Sequence, residues 1–232
     1  MIVAGRCDTQ VRLPIVEKVP ERLPKATPRT PAESVRGPQS RELRIIARRW
    51  RGKRRRFPDL GSAAAALRPT PDRVRETLFN WLQQHIAGAR CLDLFAGSGA
   101  LGLEALSRGA ASVVFVETDQ RVARAIGAVL AAWGAQQATV ATLPAAQYLA
   151  RGAPGGLPAL DLVFLDPPFA AGLLESAAAG LVSGRWLADG ALIYVEHARS
   201  DLMPRLPAAW QALKTGNAGA VSYHLYRHQQ SA

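Results

Sequence analysis

The residues with the most specific chemistry in this chain are Asp166-Pro167-Pro168-Phe169. Asp166 precedes proline, so its backbone is pushed to extended conformations and a strand entering it must end there. Neither proline has an N–H, so the loop offers carboxylate and carbonyl acceptors without competing donors. Such acceptors suit an exocyclic amine on a nucleobase, a poor nucleophile whose lone pair is delocalised into the ring. The Asp166 carboxylate and the Pro167 carbonyl can grip its two N–H bonds and draw the nitrogen toward tetrahedral geometry. Positioning and electrostatics then supply most of the rate, with Phe169 stacking on a base turned out of its helix or loop. Taken alone, the tetrapeptide is equally a stiff loop; its neighbours give it meaning.

Those neighbours begin at Asp93. Gly97, Gly99 and Gly102 fit G-x-G-x-x-G, with Glu117 about 20 residues beyond Gly97, the spacing of a dinucleotide fingerprint. A dinucleotide would place its pyrophosphate on the turn and the following helix N-terminus. Asp93, four residues ahead of Gly97, would oppose that phosphate. S-adenosylmethionine has no phosphate and is a net cation, so Asp93 suits its ammonium and Glu117 its ribose hydroxyls. Phe95, Ala96, Gly97, Ser98, Gly99 and Thr118 are the remaining candidates to line it. A glycine turn kept only for tight packing is the bland alternative.

Positioning these residues requires alternating strands and helices. Cys91 to Phe95 reads as a buried strand, and a helix follows from Ala100 to Gly109. Ser112 to Val116, Ala138 to Ala141, Leu160 to Leu165 and Ala191 to Glu196 read as further strands, with helices over 119–133, 145–151 and 173–181 between them. Val221 to Arg227 is a last strand, paired with the stretch near Leu213, while 202–211 is ambiguous. The pattern predicts an α/β fold with a doubly wound, mainly parallel seven-stranded sheet. Asp93, Glu117 and Asp166 then share the carboxyl ends of the strands, where such sheets bind ligands.

Charge divides the chain. Residues 1–90 carry 20 Lys plus Arg against 8 Asp plus Glu, whereas 91–232 carry 9 against 10. A near-neutral body with a basic extension fits a catalytic domain carrying a polyanion-binding arm. Residues 1–40 read as a disordered proline-rich leader and 41–67 as a basic hairpin with its connector; 68–232 form the main domain. In the hairpin, turning about Arg51-Gly52, Arg44, Arg48, Arg49, Arg51, Lys53 and Arg54 are candidates for nucleic-acid phosphates and Trp50 for stacking on a base. Thr70 and Pro71 would start a helix whose polar face holds Arg73, Glu76 and Asn80. Neither a metal-ligand spacing nor a disulfide framework is present, and no apolar run is long enough to span a bilayer. A cytoplasmic protein is expected.

With Asp166 to Phe169 and the glycine turn in place, the chain resembles class I S-adenosylmethionine-dependent methyltransferases that modify amines. LRPTPDRVRETLFNWL, CLDLFAGSGALGLEALSRGA and WLADGALIYVE narrow the resemblance to the bacterial enzymes that methylate a guanine of small-subunit ribosomal RNA at its exocyclic amine. It covers Arg41 to Arg227. It implies S-adenosylmethionine as cofactor, 16S ribosomal RNA within an assembling 30S subunit as partner, and a monomer. It also implies that Asp93, Gly97 and Gly99 line the methionine side of the donor and that Arg73 and Glu76 lie on a helix closing over the site. Two departures stand out. Pro144 occupies the place of the usual Asn or Asp for the donor's adenine, leaving Thr142 or a backbone group to replace it. The usual Gly-Gly before the aromatic of the hairpin is Ala47-Arg48. Adenine in DNA, a basic RNA-binding module without catalysis and a dinucleotide oxidoreductase are the competing readings.

Overall fold

The computed structural model describes residues 42–56, 72–153, 159–168 and 172–229. The leader, the connector, Thr70, Pro71 and Phe169 lie outside the described residues. Five parallel strands form the main run of the sheet, from its β5 edge inward: β3 (Arg90–Asp93), β4 (Ser112–Glu117), β5 (Ala138–Thr142), β6 (Leu160–Leu165) and β7 (Leu187–Ala198). An antiparallel pair, β8 (Trp210–Ala218) and β9 (Val221–His228), completes seven strands in the order β5-β4-β3-β6-β7-β9-β8. The order reverses between β3 and β6, so Asp93 and the loop at Asp166 flank the switch point where such sheets bind ligands.

The strands alternate with α1 (Asp72–Trp81), α2 (Ala100–Ser107), α3 (Gln120–Trp133), α4 (Ala145–Ala150) and α5 (Leu173–Ser183). Helices α1, α2 and α3 bury Leu78, Leu103 and Ile126 on one face of the sheet, and α4 and α5 bury Leu149 and Leu181 on the other. The signals at α3 are local. Asp119 accepts hydrogen bonds from the backbone of Arg121 and Val122 at its start, and Gly134 caps its end at φ 64°. Every residue of α2 is buried. A helix buried on all sides needs cover on all sides, and the arm described below supplies what the sheet does not. The third glycine of the motif serves this packing: a Cβ at Gly102 would overlap the Phe115 ring of β4.

Two differences from the sequence reading concern strand length. Strand β7 starts at Leu187, ahead of the expected Ala191, because Leu187 pairs with Leu160 before a bulge shifts the register. The ambiguous stretch ends as β8, which begins at Trp210. The acid inside β6, Asp161, faces away from the site chemistry. It accepts from the backbone N, Nε and Nη2 of Arg90 at 2.9, 2.7 and 2.6 Å, at the opposite end of the strands from Asp166.

Candidate active site

Strand β3 delivers Asp93, β4 delivers Glu117 and the end of β6 delivers Asp166 to one edge of the sheet. Phe95 and Ala96 lead into the turn at Gly97-Ser98-Gly99, and Gly97 (φ 50°) and Gly99 (φ 71°) take the left-handed backbone the turn demands. Glu117 holds this turn, since its Oε2 accepts from the Gly97 N–H at 2.8 Å and its Oε1 from the Asp119 N–H at 2.9 Å. Asp93 holds it from beneath. That carboxylate is 3 % exposed and accepts from the Gly102 N–H at 3.0 Å, within the first turn of α2.

Asp93 feels its burial and the other two acids. Burial raises Asp93 to about 7, the Gly102 N–H opposes the shift, and the charges of Asp166 and Glu117 add to it. A concentration of carboxylates next to an N–H-rich turn is a poor place for a pyrophosphate and a good one for a cation.

Asp166 is half-buried, Pro167 buried and Pro168 exposed. Beneath Asp166 lies a pair that sequence reasoning missed. The buried Tyr194 hydroxyl donates to Glu196 Oε1 at 2.7 Å, and burial with the charges of Glu196 and Asp166 holds the phenol well above its ordinary value. The signal available was Glu196 itself, an acid ending an apolar strand beside Asp166. Thr118 and Thr142 are exposed on the far side of Glu117, with Thr142 opposite it in the β4–β5 register. Pro144 caps α4, its carbonyl accepting from the Tyr148 N–H at 3.0 Å. That carbonyl is engaged in the first turn of α4.

Among proteins of known sequence, the model of the family called Conserved hypothetical protein 95 matches residues 43–227. The chain is 47 % identical over 191 residues to Ribosomal RNA small subunit methyltransferase D of Escherichia coli, covering 82 % of this chain and 92 % of that one. It is 46 % identical over 189 residues to the Haemophilus influenzae protein of the same name, covering 81 % and 94 %. The solved structure of yhhF from Escherichia coli superposes with a TM-score of 0.72 at 44 % identity, over 81 % of this chain and 98 % of that one. The chain belongs to this family.

The family match starts at Leu43, inside the basic arm, so the arm is part of the family's common extent. It consists of β1 (Glu42–Arg44), a 3-10 turn over Arg48–Trp50 and β2 (Arg54–Arg56), with β1 and β2 antiparallel. Leu43, Ile45 and Trp50 are buried, while Arg44, Arg48, Arg49, Arg51, Lys53, Arg54 and Arg55 are exposed. The expected stacking role of Trp50 is corrected here. Trp50 is 3 % exposed and packs on Trp133 at 5.2 Å between ring centroids, so it anchors the arm and presents no free face to a base. Arg73 and Glu76 are exposed on α1, as the helical spacing predicts.

Polar side chains inside the body lock the arm in place. Glu104 of α2, fully buried, accepts from the Ile46 and Ala47 N–H groups at 2.8 and 3.1 Å and from Arg108 Nε at 2.8 Å. Ser107 accepts from the Trp50 N–H at 3.0 Å and donates to the Ala47 carbonyl at 2.6 Å. Arg75, also fully buried, donates to the Arg44 carbonyl at 2.7 Å and to Asp72 at 2.6 Å. These anchors were missed from sequence; a Glu and a Ser three apart in an otherwise apolar helix were the trace they left.

The Ala47-Arg48 departure has a structural cost. Arg48 sits at φ 59°, in the left-handed region where glycine is at ease. That conformation costs a non-glycine residue roughly 1–2 kcal/mol, against the extra entropy glycine loses on folding, about 0.5–1 kcal/mol. Arg48→Gly is therefore expected to stabilise the arm by up to about 1 kcal/mol. Thermal unfolding of the variant checks this; an unchanged or lower midpoint would mean that the Arg48 backbone is not strained.

Proposed function

We propose that this protein uses S-adenosylmethionine to methylate the exocyclic N2 amine of a guanine in 16S ribosomal RNA. The observation that carries the reading is the convergence of Asp93, Glu117 and Asp166 on the carboxyl ends of adjacent strands at the switch point, where burial raises Asp93 and the charges of the other two add to the shift. Its substrate class follows from the two relatives named for small-subunit ribosomal RNA and from the exposed cations of the arm. The cofactor fits because a cation relieves the repulsion among the carboxylates. Glu117 then faces the ribose, Asp93 and the turn from Phe95 to Gly99 face the methionine end, and Thr118 and Thr142 border the adenine. When bound, S-adenosylmethionine supplies an electrophilic methyl group on a sulfonium.

The chain's own residues do the rest by positioning. The Asp166 carboxylate and the Pro167 carbonyl accept the two N–H bonds of the guanine amine, fixing the nitrogen lone pair in line with the methyl group. As the nitrogen takes the methyl carbon, the bond from that carbon to the donor sulfur would break and leave a neutral thioether; the methylated nitrogen would be acidic, and one of its protons would leave toward Asp166 and water. Phe169 stacks on the base. Tyr194 and Glu196 stiffen the floor under Asp166. The arm, together with Arg73 on α1, holds the phosphates of an assembling 30S subunit in the cytoplasm, and a single copy carries every part required.

The test is transfer of labelled methyl to small-subunit RNA, to the small-subunit particle and to duplex DNA, followed by digestion to nucleosides. Label in N2-methylguanosine is the expected result. Label in N6-methyladenine would move the substrate to DNA, and no transfer with no donor binding would leave a basic binding module.

Asp93 makes donor binding depend on pH. Its free carboxyl ionises at about 7, and a bound cation favours the ionised form, lowering that value in the complex. Affinity should therefore rise with pH up to about 7 and level off above it, by at most about tenfold per pH unit. Calorimetry across this range checks it. Asp93→Asn keeps an acceptor for the Gly102 N–H and should flatten the profile, whereas a flat profile in the parent protein would remove Asp93 from the donor site.

A further inference from the structure

Among the described residues, large apolar side chains stand exposed at few places, and three of them gather near one end of the sheet. Leu202 is 94 % exposed, Met203 47 % and Leu173 36 %. Strand β7 runs parallel to β6, with Leu165 opposite Val195, so the segment after Ala198 leaves the sheet beside Asp166. Leu173 opens α5, the helix that follows the Asp166–Phe169 loop.

The segment carrying Leu202 and Met203 is pinned. Arg199 N–H donates to the Ala220 carbonyl at 2.8 Å and Asp201 N–H to the Ala198 carbonyl at 3.0 Å. Further along, the Arg205 N–H donates to Glu175 Oε1 in the first turn of α5 at 2.7 Å. A pinned turn that holds a leucine out in water gains nothing for its own fold, and apolar groups rimmed by charge mark a contact surface. The rim here is Arg199 and Arg205, with Asp201 between them, all exposed. The basic arm stands on α2, on one face of the sheet, while this turn is tied to α5 on the other. The strand ends carrying Asp93 and Asp166 lie between the two.

We propose that the turn over 199–207 is a second RNA contact, with Leu202 and Met203 packed against the bases flanking the target guanine. Arg199 and Arg205 neutralise phosphates on either side of it. An extruded base leaves its neighbours unstacked, and apolar wedges serve such gaps, while cations fix the register of the backbone. The occupant is a single-stranded RNA segment, and the proposal rests on the function proposed above.

Two experiments test it. The double variant Leu202→Ser, Met203→Ser removes no core contact, so its unfolding midpoint and donor affinity should match the parent. Its KM for unmethylated small subunits should rise by about tenfold or more. Parent-level kcat/KM in that variant overturns the proposal; absence of methyl transfer by the parent protein itself would instead overturn the reading of function. A photoreactive amino acid at position 202, in the complex with small subunits, should cross-link to RNA beside the methylated guanine. Cross-links to a ribosomal protein or to a second copy of the chain overturn it, as does an absence of cross-links.

Discussion

Asp166→Ala is expected to lower the turnover number for methyl transfer by about a hundred- to a thousand-fold while leaving donor affinity nearly unchanged. The carboxylate is one of two acceptors for the guanine amine in the proposed complex. Losing it frees the nitrogen to rotate and lets its lone pair return to the ring. Donor affinity is preserved because Glu117 and Asp93, not Asp166, hold the glycine turn. Single-turnover kinetics with saturating donor, alongside calorimetry of donor binding, separate the two quantities. Equal single-turnover rates in parent and variant would end the role assigned to Asp166. One subsidiary sign follows from the electrostatics: burial remains the main cause that raises Asp93, but removing the Asp166 charge takes away part of the shift, so the pH dependence of donor affinity should move to slightly lower pH.

Glu104→Ala should act at a distance from the chemistry and still be severe. The substitution strands the Ile46 and Ala47 N–H groups and leaves Arg108 without its carboxylate, all around a position with no exposure. Breaking a buried, hydrogen-bonded charge by deleting one partner costs about 3–5 kcal/mol. The loss falls on the docking of the arm, so the expected phenotype is faster amide exchange and proteolysis at residues 42–56 together with a KM for small subunits raised by tenfold or more. Donor affinity should stay near that of the parent. Ser107→Ala, which removes only the hydroxyl between Trp50 and Ala47, should give the same phenotype in milder form. An arm equally protected in both variants would show that packing of Leu43, Ile45 and Trp50 is enough to hold it.

What could be read from the chain before its fold was known divides along the range of the interactions involved. The turn at Gly97-Ser98-Gly99 and the helix over 119–133 were legible because each is dictated by residues a few positions away. The meeting of Asp93, Glu117 and Asp166 was legible too, since parallel connectivity sends all three strand ends to one edge. Trp50 was misread because its partner, Trp133, ends a helix far along the chain, and a tryptophan in a basic stretch looks the same whether it faces RNA or a core. Glu104 stayed hidden for the same reason, its acceptors serving N–H groups 57 and 58 residues earlier. Strand β7 was cut short because Ala188-Asp189-Gly190 reads as a turn, although the bulge opposite Leu160–Leu162 keeps the segment paired.

Helix α2 is only eight residues long, a rise of about 12 Å. Gly99 stands at its first end and Ser107, under the arm, at its last. In the complex proposed above, a helix this short and this thoroughly enclosed would act as a ruler between the donor site at one end and the first phosphates held by the arm at the other. Target selection would then be partly a matter of length: an inserted helical turn would move the two ends apart by about 5.4 Å and would offer a different nucleotide to the same chemistry.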